Sequence, residues 1–436
     1  MSAGSFLKRL LGGGPGAIER RTHDLLALCD ALLAERGEFA SIALARDALN
    51  ALQALDERCR EEFFDALARR YSPSPEAVSR AAGAYALDPS PENLIRLQET
   101  VEPARQELFR RLNMAPGGTA ALVGMRRALL KKLNAKPHWR VIDADLMHLL
   151  RSWFNRGFLR LERIDWRTSA MVLEKLIQYE AVHAIQGWRD LRRRLEADRR
   201  CFAFFHAQLP DEPIIFIEVA LTRGMSAHVQ PLLDLKSPVA MPANADCAMF
   251  YSITNCQEGL RGISFGNLLI KQVAEELKRE FPHLRRFATL SPVPGFRRWL
   301  DGVGDKALLA RLRDPAWHAG EVPEALQKQL LRLCACYLLH AKQALEPLDP
   351  VARFHLGNGA SLERLNWMGD ASEQGMARSA GVMVNYVYWL AEVERNHERY
   401  FKEHAIVAAP AVEKLARECP LAEAKGEAAR AGGEAA

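Results

Sequence analysis

The amino-acid sequence predicts an α+β fold, in which an all-helical N-terminal domain is followed by a domain built on a mixed β-sheet. Two patterns predict it. From about residue 18 to residue 150, apolar residues recur at helical spacing without strand-like runs. After Asp198, short runs of aromatic and β-branched residues alternate with helical patterns. The 436 residues, of which 49% are hydrophobic, can bury a large core in two domains or so.

The first part of the chain carries the helical signals. The apolar stripe is clearest at Leu44, Ala48, Ala51, Leu52 and Leu55. Ser90 before Pro91 is typical of a helix start, and Pro116 and Pro137 mark breaks between helices. We expect residues 1–150 to form a helical domain for packing, oligomerisation or bracing. Residues 151–421 then form the second domain, and residues 422–436, rich in alanine, glycine and charge, a disordered tail.

Four runs predict the strands of the sheet, namely residues 201–205 (CFAFF), 214–221 (IIFIEVAL), 248–254 (AMFYSIT) and 287–290 (FATL). Residues 210–213 (PDEP) are expected to connect the first two strands, because such residues favour turns. Residues 383–390 (MVNYVYWL) predict a late strand. Together these runs suffice for a mixed sheet flanked by helices.

A glycine-bearing segment follows the predicted strand at 248–254. Gly259, Gly262 and Gly266 allow positive φ or the close approach of a ligand. Helical spacing begins near Phe265, and a helix that starts after such a loop presents unpaired N–H groups and positive potential. The segment therefore predicts a phosphate site. A tight strand-to-helix turn that binds nothing is the alternative.

Two side chains are candidates for chemistry. Ser291 follows the predicted strand 287–290 and opens the run 291–296 (SPVPGF), whose prolines make a stiff turn. The alternative role of Ser291 is to cap a helix that starts near Gly295. His355 precedes a Gly-Asn-Gly run, so we expect it on a defined loop, where its ordinary pKa of about 6.5 suits proton transfer. A purely structural histidine is the alternative.

Charge and cysteine content exclude several classes of protein. The net charge of +5 is modest, and the arginine clusters 192–194 and 199–200 predict either contacts with a nucleotide phosphate or a solvated helix face. No basic stripe interleaved with aromatic residues supports nucleic-acid binding, and no apolar run approaches the ~20 residues of a membrane span. Cys334, Cys336 and His340 lie among leucines without zinc spacing, which favours buried structural thiols over a metal site. The cysteine pattern indicates reduced thiols, so we expect a cytoplasmic protein.

Longer motifs resemble the malonyl-CoA decarboxylase family. They are residues 180–183 (EAVH), 188–191 (WRDL), 199–201 (RRC), 212–221 (EPIIFIEVAL), 281–284 (FPHL), 290–296 (LSPVPGF), 354–360 (FHLGNGA) and 366–368 (NWM). Their order agrees with the family from about residue 151 to residue 400. Several are long and unusual in composition, so chance agreement is improbable.

The resemblance implies a helical N-terminal domain and a catalytic domain resembling the acetyltransferases of the GNAT fold. It places the catalytic serine at Ser291, the catalytic histidine at His355 and an active-site tyrosine at Tyr388, with Tyr386 as the neighbouring alternative. It places coenzyme A contacts at Arg261, Gly262, Ile263, Ser264, Phe265, Gly266, Asn267 and Asn358. The usual acetyltransferase loop is Gln/Arg-x-x-Gly-x-Gly/Ala, and the shifted glycines of residues 261–266 (RGISFG) depart from it.

The activity implied is the conversion of malonyl-CoA to acetyl-CoA and CO2, a lyase step of fatty acid metabolism. Neither a metal nor a bound cofactor is implied, because the thioester itself delocalises the developing charge and coenzyme A enters as part of the substrate. The family also implies a homo-oligomer, a dimer or a tetramer.

Three other functions stay open. An acyl-CoA-dependent N-acyltransferase would share the fold, and a non-catalytic acyl-CoA sensor would bind without turnover. A serine hydrolase using Ser291 and His355 is disfavoured, because the Gly-x-Ser-x-Gly turn is absent and no third member is evident.

Overall fold

The computed structural model describes residues 15–263, 269–314 and 316–419. They divide into two compact units. The first contains residues 15–160, 205–212 and 257–263, and the second contains the remaining described residues. A helical N-terminal region followed by a mixed-sheet region confirms the predicted fold class.

Helices build the first unit. They are α1 (Pro15–Ala34), α2 (Glu38–Gln53), α3 (Glu57–Arg70), α4 (Pro75–Leu87), α5 (Pro91–Val101), α6 (Ala104–Met114), α7 (Gly118–Lys132) and α8 (Arg140–Trp153). The predicted start at Ser90 is confirmed, since its hydroxyl accepts from the N–H of Asn93 and Pro91 occupies the first turn. The core holds large apolar side chains such as Phe63, Phe109 and Trp139, each 1% exposed or less.

A buried arginine holds a later segment of the chain within this unit. Arg126 on α7 is 2% exposed and its Nε donates to Asp143 at 2.7 Å. Its Nη1 donates to the carbonyl oxygens of Gly259 and Arg261, each at 2.8 Å. A side chain at Gly259 would overlap the carbonyl of Val123 on α7. The start of the glycine-bearing segment is therefore fixed by backbone contacts that only glycine permits.

The second unit contains the sheet, whose strands are β1 (Leu159–Ile164), β2 (Arg199–His206), β3 (Leu209–Thr222), β4 (Cys247–Asn255), β5 (Arg286–Thr289), β6 (Ser291–Pro292), β9 (Ser361–Asn366) and β10 (Met383–Val387), and a separate pair is formed by β7 (Lys342–Gln343) and β8 (Glu346–Pro347). The order in the sheet is β1-β2-β3-β4-β5-β10-β6, and β9 pairs with β10. Ends of β1, β2 and β3 belong to the first unit.

The helices of the second unit are α9 (Ala170–Tyr179), α10 (Trp188–Arg194), α11 (Gln230–Leu233), α12 (Leu269–Glu280), α13 (Phe296–Val303), α14 (Lys306–Arg313), α15 (Glu324–His340), α16 (Pro350–Gly357), α17 (Glu373–Ser379), α18 (Val393–Glu403) and α19 (Pro410–Arg417). The predicted amphipathic helix is confirmed by α12, which buries Leu269, Val273 and Leu277. It connects β4 to β5, which pair in parallel, whereas β3 and β4 are antiparallel.

Strand β10 organises the centre of this sheet. It is antiparallel to β9 over its whole length, to β5 where Val387 pairs with Ala288, and to β6 where Val384 pairs with Ser291. Leu290 separates β5 from β6, and its N–H donates to the carbonyl of Phe250 on β4. The strand is therefore interrupted at Leu290, directly before Ser291, while β10 pairs with the chain on both sides of the interruption.

Three strand predictions were wrong in detail. Residues 210–213 were expected to connect two strands, but they lie inside β3, because the hairpin turns at Ala207 and Gln208 and Asp211 adopts a φ of 58°. Strand β1 precedes the expected start of the sheet. The late strand ends at Val387 rather than Leu390, and the N–H of Tyr388 donates to the carbonyl of Phe287.

The arginine clusters form buried ion pairs, so neither predicted role describes them. Arg193 bonds Asp198 through two nitrogens, and Arg194 pairs with Asp190 and with Glu218 at 2.7 Å. Arg192 alone in that run is exposed. A short helix places successive arginines on different faces. Asp190 and Asp198 are local partners, four and five residues away, whereas Glu218 lies 24 residues from Arg194, a pairing that sequence spacing does not reveal.

All eight cysteines are buried and none forms a disulfide, which confirms buried structural thiols at Cys334 and Cys336. In the described ranges, no group of three or more histidine, cysteine or carboxylate side chains is arranged to hold a metal ion. None of the helices seen in this part of the chain is long and apolar enough to cross a bilayer.

Arg194→Met should lower the free energy of unfolding by about 3–5 kcal/mol, because it leaves the buried carboxylate of Glu218 without its cation. Urea unfolding followed by circular dichroism measures this. The control is Arg192→Met, which should change the stability by no more than about 0.5 kcal/mol. Equal losses in the two variants would contradict a specific role for the buried pair.

Candidate active site

Ser291 is the first residue of β6, directly after the interruption at Leu290, and is 5% exposed. Its Oγ donates to Oγ1 of Thr289 at 2.8 Å and lies 2.9 Å from Nε2 of His355. Thr289 and Ser291 are two residues apart, and Oγ1 of Thr289 also accepts from the N–H of Tyr386 on β10 at 3.2 Å. The hydroxyl of Ser291 does not cap a helix, since the N-cap of α13 is Gly295. It faces the histidine instead.

His355 lies in the last turn of α16, so the prediction that a loop carries it was wrong. The helix begins because Asp349 accepts from the N–H groups of Val351 and Ala352 and Pro350 occupies the first turn. The Gly-Asn-Gly run ends the helix, as shown by a φ of 83° at Gly359. A rigid helix therefore holds the imidazole.

Two tyrosines of the β10 segment surround the imidazole. The hydroxyl of Tyr388 lies 2.8 Å from Nδ1 of His355. The ring of Tyr386 stacks on the imidazole with centroids 4.7 Å apart and an angle of 26° between the planes. Both tyrosines are 1% exposed. The hydroxyl that reaches the histidine thus belongs to Tyr388, while Tyr386 supplies a flat surface that fixes the ring.

Burial determines the protonation of this group. His355 is 3% exposed, and loss of solvation lowers its pKa to about 3. The same effect raises the pKa of Tyr388 well above its usual value. At neutral pH the serine, the histidine and the tyrosine are therefore all uncharged, and each carries one transferable proton.

The hydrogen bonds of this group all run from donor to acceptor in the same order along the three side chains. Because Ser291 donates to Thr289, its oxygen is free to accept from Nε2–H of His355. Nδ1 then has no proton and accepts from the hydroxyl of Tyr388. The chain of donors runs from Tyr388 through His355 to Ser291. No carboxylate bonds Nδ1, so the group differs from a Ser-His-Asp triad.

The predicted coenzyme A loop is described in part. The carbonyl of Arg261 is held by Arg126, Gly262 has a φ of 80°, and the N–H of Ile263 donates to the carbonyl of Leu260. All three residues belong to the first unit. The remaining predicted contacts lie outside the described residues, namely Ser264, Phe265, Gly266 and Asn267.

Asn358 was predicted to contact the substrate. It is 7% exposed at the C-terminus of α16, and its Nδ2 donates to the carbonyl of Phe354 at 2.7 Å. This bond secures the helix turn that contains His355. A substrate contact of Asn358 stays a prediction.

Sequence reasoning missed two supporting residues. Thr289 could have been found from its spacing, because residues two apart on a strand face the same side and Thr289 stands two before Ser291. Asp349 could have been found from the pair Asp349-Pro350, which is typical of a helix start. That start would also have placed His355 on a helix.

A buried serine–histidine–tyrosine group on a mixed sheet, preceded in the chain by a helical region, defines an enzyme of the α+β class. Residues 71–154 match the malonyl-CoA decarboxylase N-terminal domain, and residues 157–428 match the malonyl-CoA decarboxylase C-terminal domain. The chain belongs to the malonyl-CoA decarboxylase family.

Solved structures and a curated relative agree with that assignment. The crystal structure of malonyl-CoA decarboxylase from Rhodopseudomonas palustris is 50% identical, has a TM-score of 0.86, and the match covers 90% of this chain and 99% of that one. The one from Agrobacterium vitis is 46% identical with a TM-score of 0.83 and the same coverage of 90% and 99%. The mitochondrial malonyl-CoA decarboxylase of Anser anser anser is 37% identical over 353 residues, 73% of this chain and 70% of the relative.

The lowered pKa of His355 predicts a stability that falls with acid. Below about pH 6.5 the unfolded chain binds a proton at this residue, whereas the folded protein does so only near pH 3. The free energy of unfolding should therefore fall by as much as about 1.4 kcal/mol per pH unit across that interval from this residue alone. Urea titrations of wild type and His355→Gln between about pH 7 and pH 5 measure the difference in slope.

The control is His148→Gln, which changes an exposed histidine on α8 and should keep the wild-type slope. If His355→Gln and wild type lose stability in parallel, the imidazole is not held neutral by burial.

Proposed function

We propose that this chain converts malonyl-CoA to acetyl-CoA and CO2, with the proton for the second carbon of the product delivered by the chain from Tyr388 through His355 to Ser291. The observation that carries the proposal is the buried, uncharged Ser291–His355 pair at 2.9 Å, backed by the phenol of Tyr388. Membership of the malonyl-CoA decarboxylase family supports the same activity.

The reaction needs a proton donor rather than a strong base. When the bond between C2 and the carboxylate breaks, its electron pair forms the enolate of the thioester and CO2 leaves. A bond from a proton to C2 then completes acetyl-CoA, and one proton is regained from water in each cycle. Because an enolate carbon is strongly basic, a neutral hydroxyl or imidazole N–H suffices as the donor.

The surroundings of the group favour the loss of CO2. A carboxylate that enters a dry site loses its hydration, whereas the charge that develops in the transition state is spread over the thioester, so exclusion of water speeds the step. Ser291, His355 and Tyr388 are each 5% exposed or less. Their fixed hydrogen bonds also hold the donor in one direction, which lowers the entropy lost on reaching the transition state.

The rival functions need chemistry that this group supplies poorly. An N-acyltransferase needs a base to take a proton from an amine, and a histidine with a pKa of about 3 is a weak one. A serine hydrolase needs an orienting carboxylate at Nδ1, where Tyr388 lies. A sensor would bind malonyl-CoA without any use for the proton chain.

Substrate binding and assembly complete the proposal. Residues 261–267 and Asn358 bind the coenzyme A part of malonyl-CoA, and neither a metal nor a further cofactor takes part because the thioester holds the developing charge. Residues 1–150 act in packing and homo-oligomer formation, as a dimer or tetramer. The protein acts in the cytoplasm, which the eight cysteines without disulfides support. Light scattering of the purified protein tests the oligomer.

The test of the activity is release of CO2 and acetyl-CoA from malonyl-CoA. Ser291→Ala and His355→Gln should each lower kcat by at least about 100-fold, the low end of general-acid catalysis. Tyr388→Phe should lower it by a smaller factor of about 10, because His355 keeps Ser291 but loses the donor at Nδ1. Circular dichroism confirms that each variant is folded.

The matched control is Ser361→Ala, which removes a buried hydroxyl from β9 whose contact is a 3.4 Å bond to the carbonyl of Val387. It should keep kcat. Binding of malonyl-CoA without CO2 release by wild type would replace the decarboxylase with the sensor, and acyl transfer to an added amine would replace it with the acyltransferase.

A further inference from the structure

We propose that Asp349 is a positioning residue that holds the Ser291 and His355 segments at their working distance. The proposal rests on the function proposed above. Asp349 is 0% exposed and precedes α16. Its Oδ1 accepts from the N–H groups of Val351 at 3.0 Å and Ala352 at 2.9 Å. These two bonds fix the start of the helix that carries His355.

The second oxygen of the same carboxylate faces the Ser291 segment. Oδ2 accepts from the hydroxyl of Tyr337 on α15 at 3.3 Å, and the nearby backbone of Gly295 lowers the pKa of the carboxyl group, although burial raises it more. Gly295 ends the stiff turn that Ser291 begins. A Cβ atom at Gly295 would overlap the Tyr337 hydroxyl and come within 3.7 Å of Oδ2. The carboxylate and the phenol therefore pack directly against the backbone of this turn.

One side chain thus bonds the start of the helix that carries His355 and, together with Tyr337, packs against the turn that begins at Ser291. Gly295 lies four residues after Ser291, and His355 lies six residues after Asp349. The path from Ser291 to Gly295 contains two prolines, and the path from Asp349 to His355 is helical, so both paths are stiff. A shift at the carboxylate is therefore transmitted to the 2.9 Å contact between Ser291 and His355.

Capping alone does not account for an aspartate here. Ser, Thr or Asn can accept the N–H groups at a helix start, and these residues carry no charge to bury. Asp349 instead accepts from two backbone N–H groups through Oδ1 and from the Tyr337 hydroxyl through Oδ2. Only a side chain with two acceptor oxygens does so. Burial of a carboxylate costs free energy. The restraint on the two segments is the benefit that offsets this cost.

Asp349→Asn separates the two roles. The amide oxygen still caps α16, whereas the amide nitrogen cannot accept from Tyr337. We expect kcat to fall by at least about 10-fold, since small displacements of catalytic groups are costly, while KM for malonyl-CoA stays within about 3-fold. Asp349→Ser, which also caps but does not reach the turn, should behave alike. Tyr337→Phe removes one donor and should lower kcat by a smaller factor.

The matched control is Asp305→Asn, because Asp305 caps α14 in the same unit through the N–H of Leu308. It should keep wild-type kcat and KM. The readout independent of turnover is the ¹⁵N spectrum of histidine-labelled protein. The Nδ1 and Nε2 signals of His355, assigned from the His355→Gln spectrum, should move in Asp349→Asn and stay in Asp305→Asn.

Each outcome decides the proposal. An unchanged kcat and an unchanged His355 signal in Asp349→Asn would overturn it. A parallel loss of kcat, malonyl-CoA affinity and melting temperature in all Asp349 variants would also overturn it, as such a loss reports general destabilisation. If wild type releases no CO2, the proposed function fails, and the His355 signals alone then decide whether Asp349 positions the pair.

Discussion

The pairing of β10 with β5 and β6 is the constraint on which the rest of the second unit depends. Val384 pairs with Ser291 and Val387 with Ala288, so the chain on both sides of Leu290 lies against one continuous strand. The same strand supplies the N–H of Tyr386 that bonds Thr289, and it leads directly to Tyr388. These backbone pairings therefore place Ser291, Tyr386 and Tyr388 around His355. The helix α16 contributes the imidazole. A side-chain cap fixes the start of this helix, and glycines fix its end.

The chemistry follows from how dry this arrangement is. Serine, tyrosine and neutral imidazole are groups that a protein can bury at moderate cost, provided that each finds a hydrogen-bond partner. Here each one supplies the partner of the next, so the group is satisfied without a charge. A carboxylate at Nδ1 would have raised the histidine pKa and made it a stronger base. Burial keeps the imidazole neutral, and the phenol bonds Nδ1 without adding a charge, so the group remains a proton donor.

Much of this could be predicted from the sequence, and the exceptions have physical causes. The strands β2, β3, β4 and β5 were predicted because buried strands carry dense apolar runs, and α12 because its apolar stripe is regular. Strand β1 was missed because LRLERI is short and half polar. The buried pairs of Arg193 and Arg194 were missed because the composition of an arginine run does not show whether its guanidinium groups face water or pair with buried carboxylates. The contact between Ser291 and His355 joins residues 64 positions apart, and only the family resemblance brought them together beforehand.

Family resemblance identifies catalytic residues more readily than the residues that hold them. Ser291, His355 and Tyr388 stand in unusual motifs, whereas the partners of Asp349 are backbone N–H groups, which any sequence supplies. Yet a hydrogen-bonded contact of 2.9 Å tolerates little displacement, and thermal motion acts on both segments that meet there. A carboxylate that bonds the helix start through one oxygen, and through the other a tyrosine packed against the Ser291 turn, restrains the relative motion of the two segments without touching the substrate. The distance between the two catalytic side chains is then determined by residues outside the site, namely a helix cap and a glycine. The sequence patterns of these two residues are the same as those of ordinary structural caps and turns.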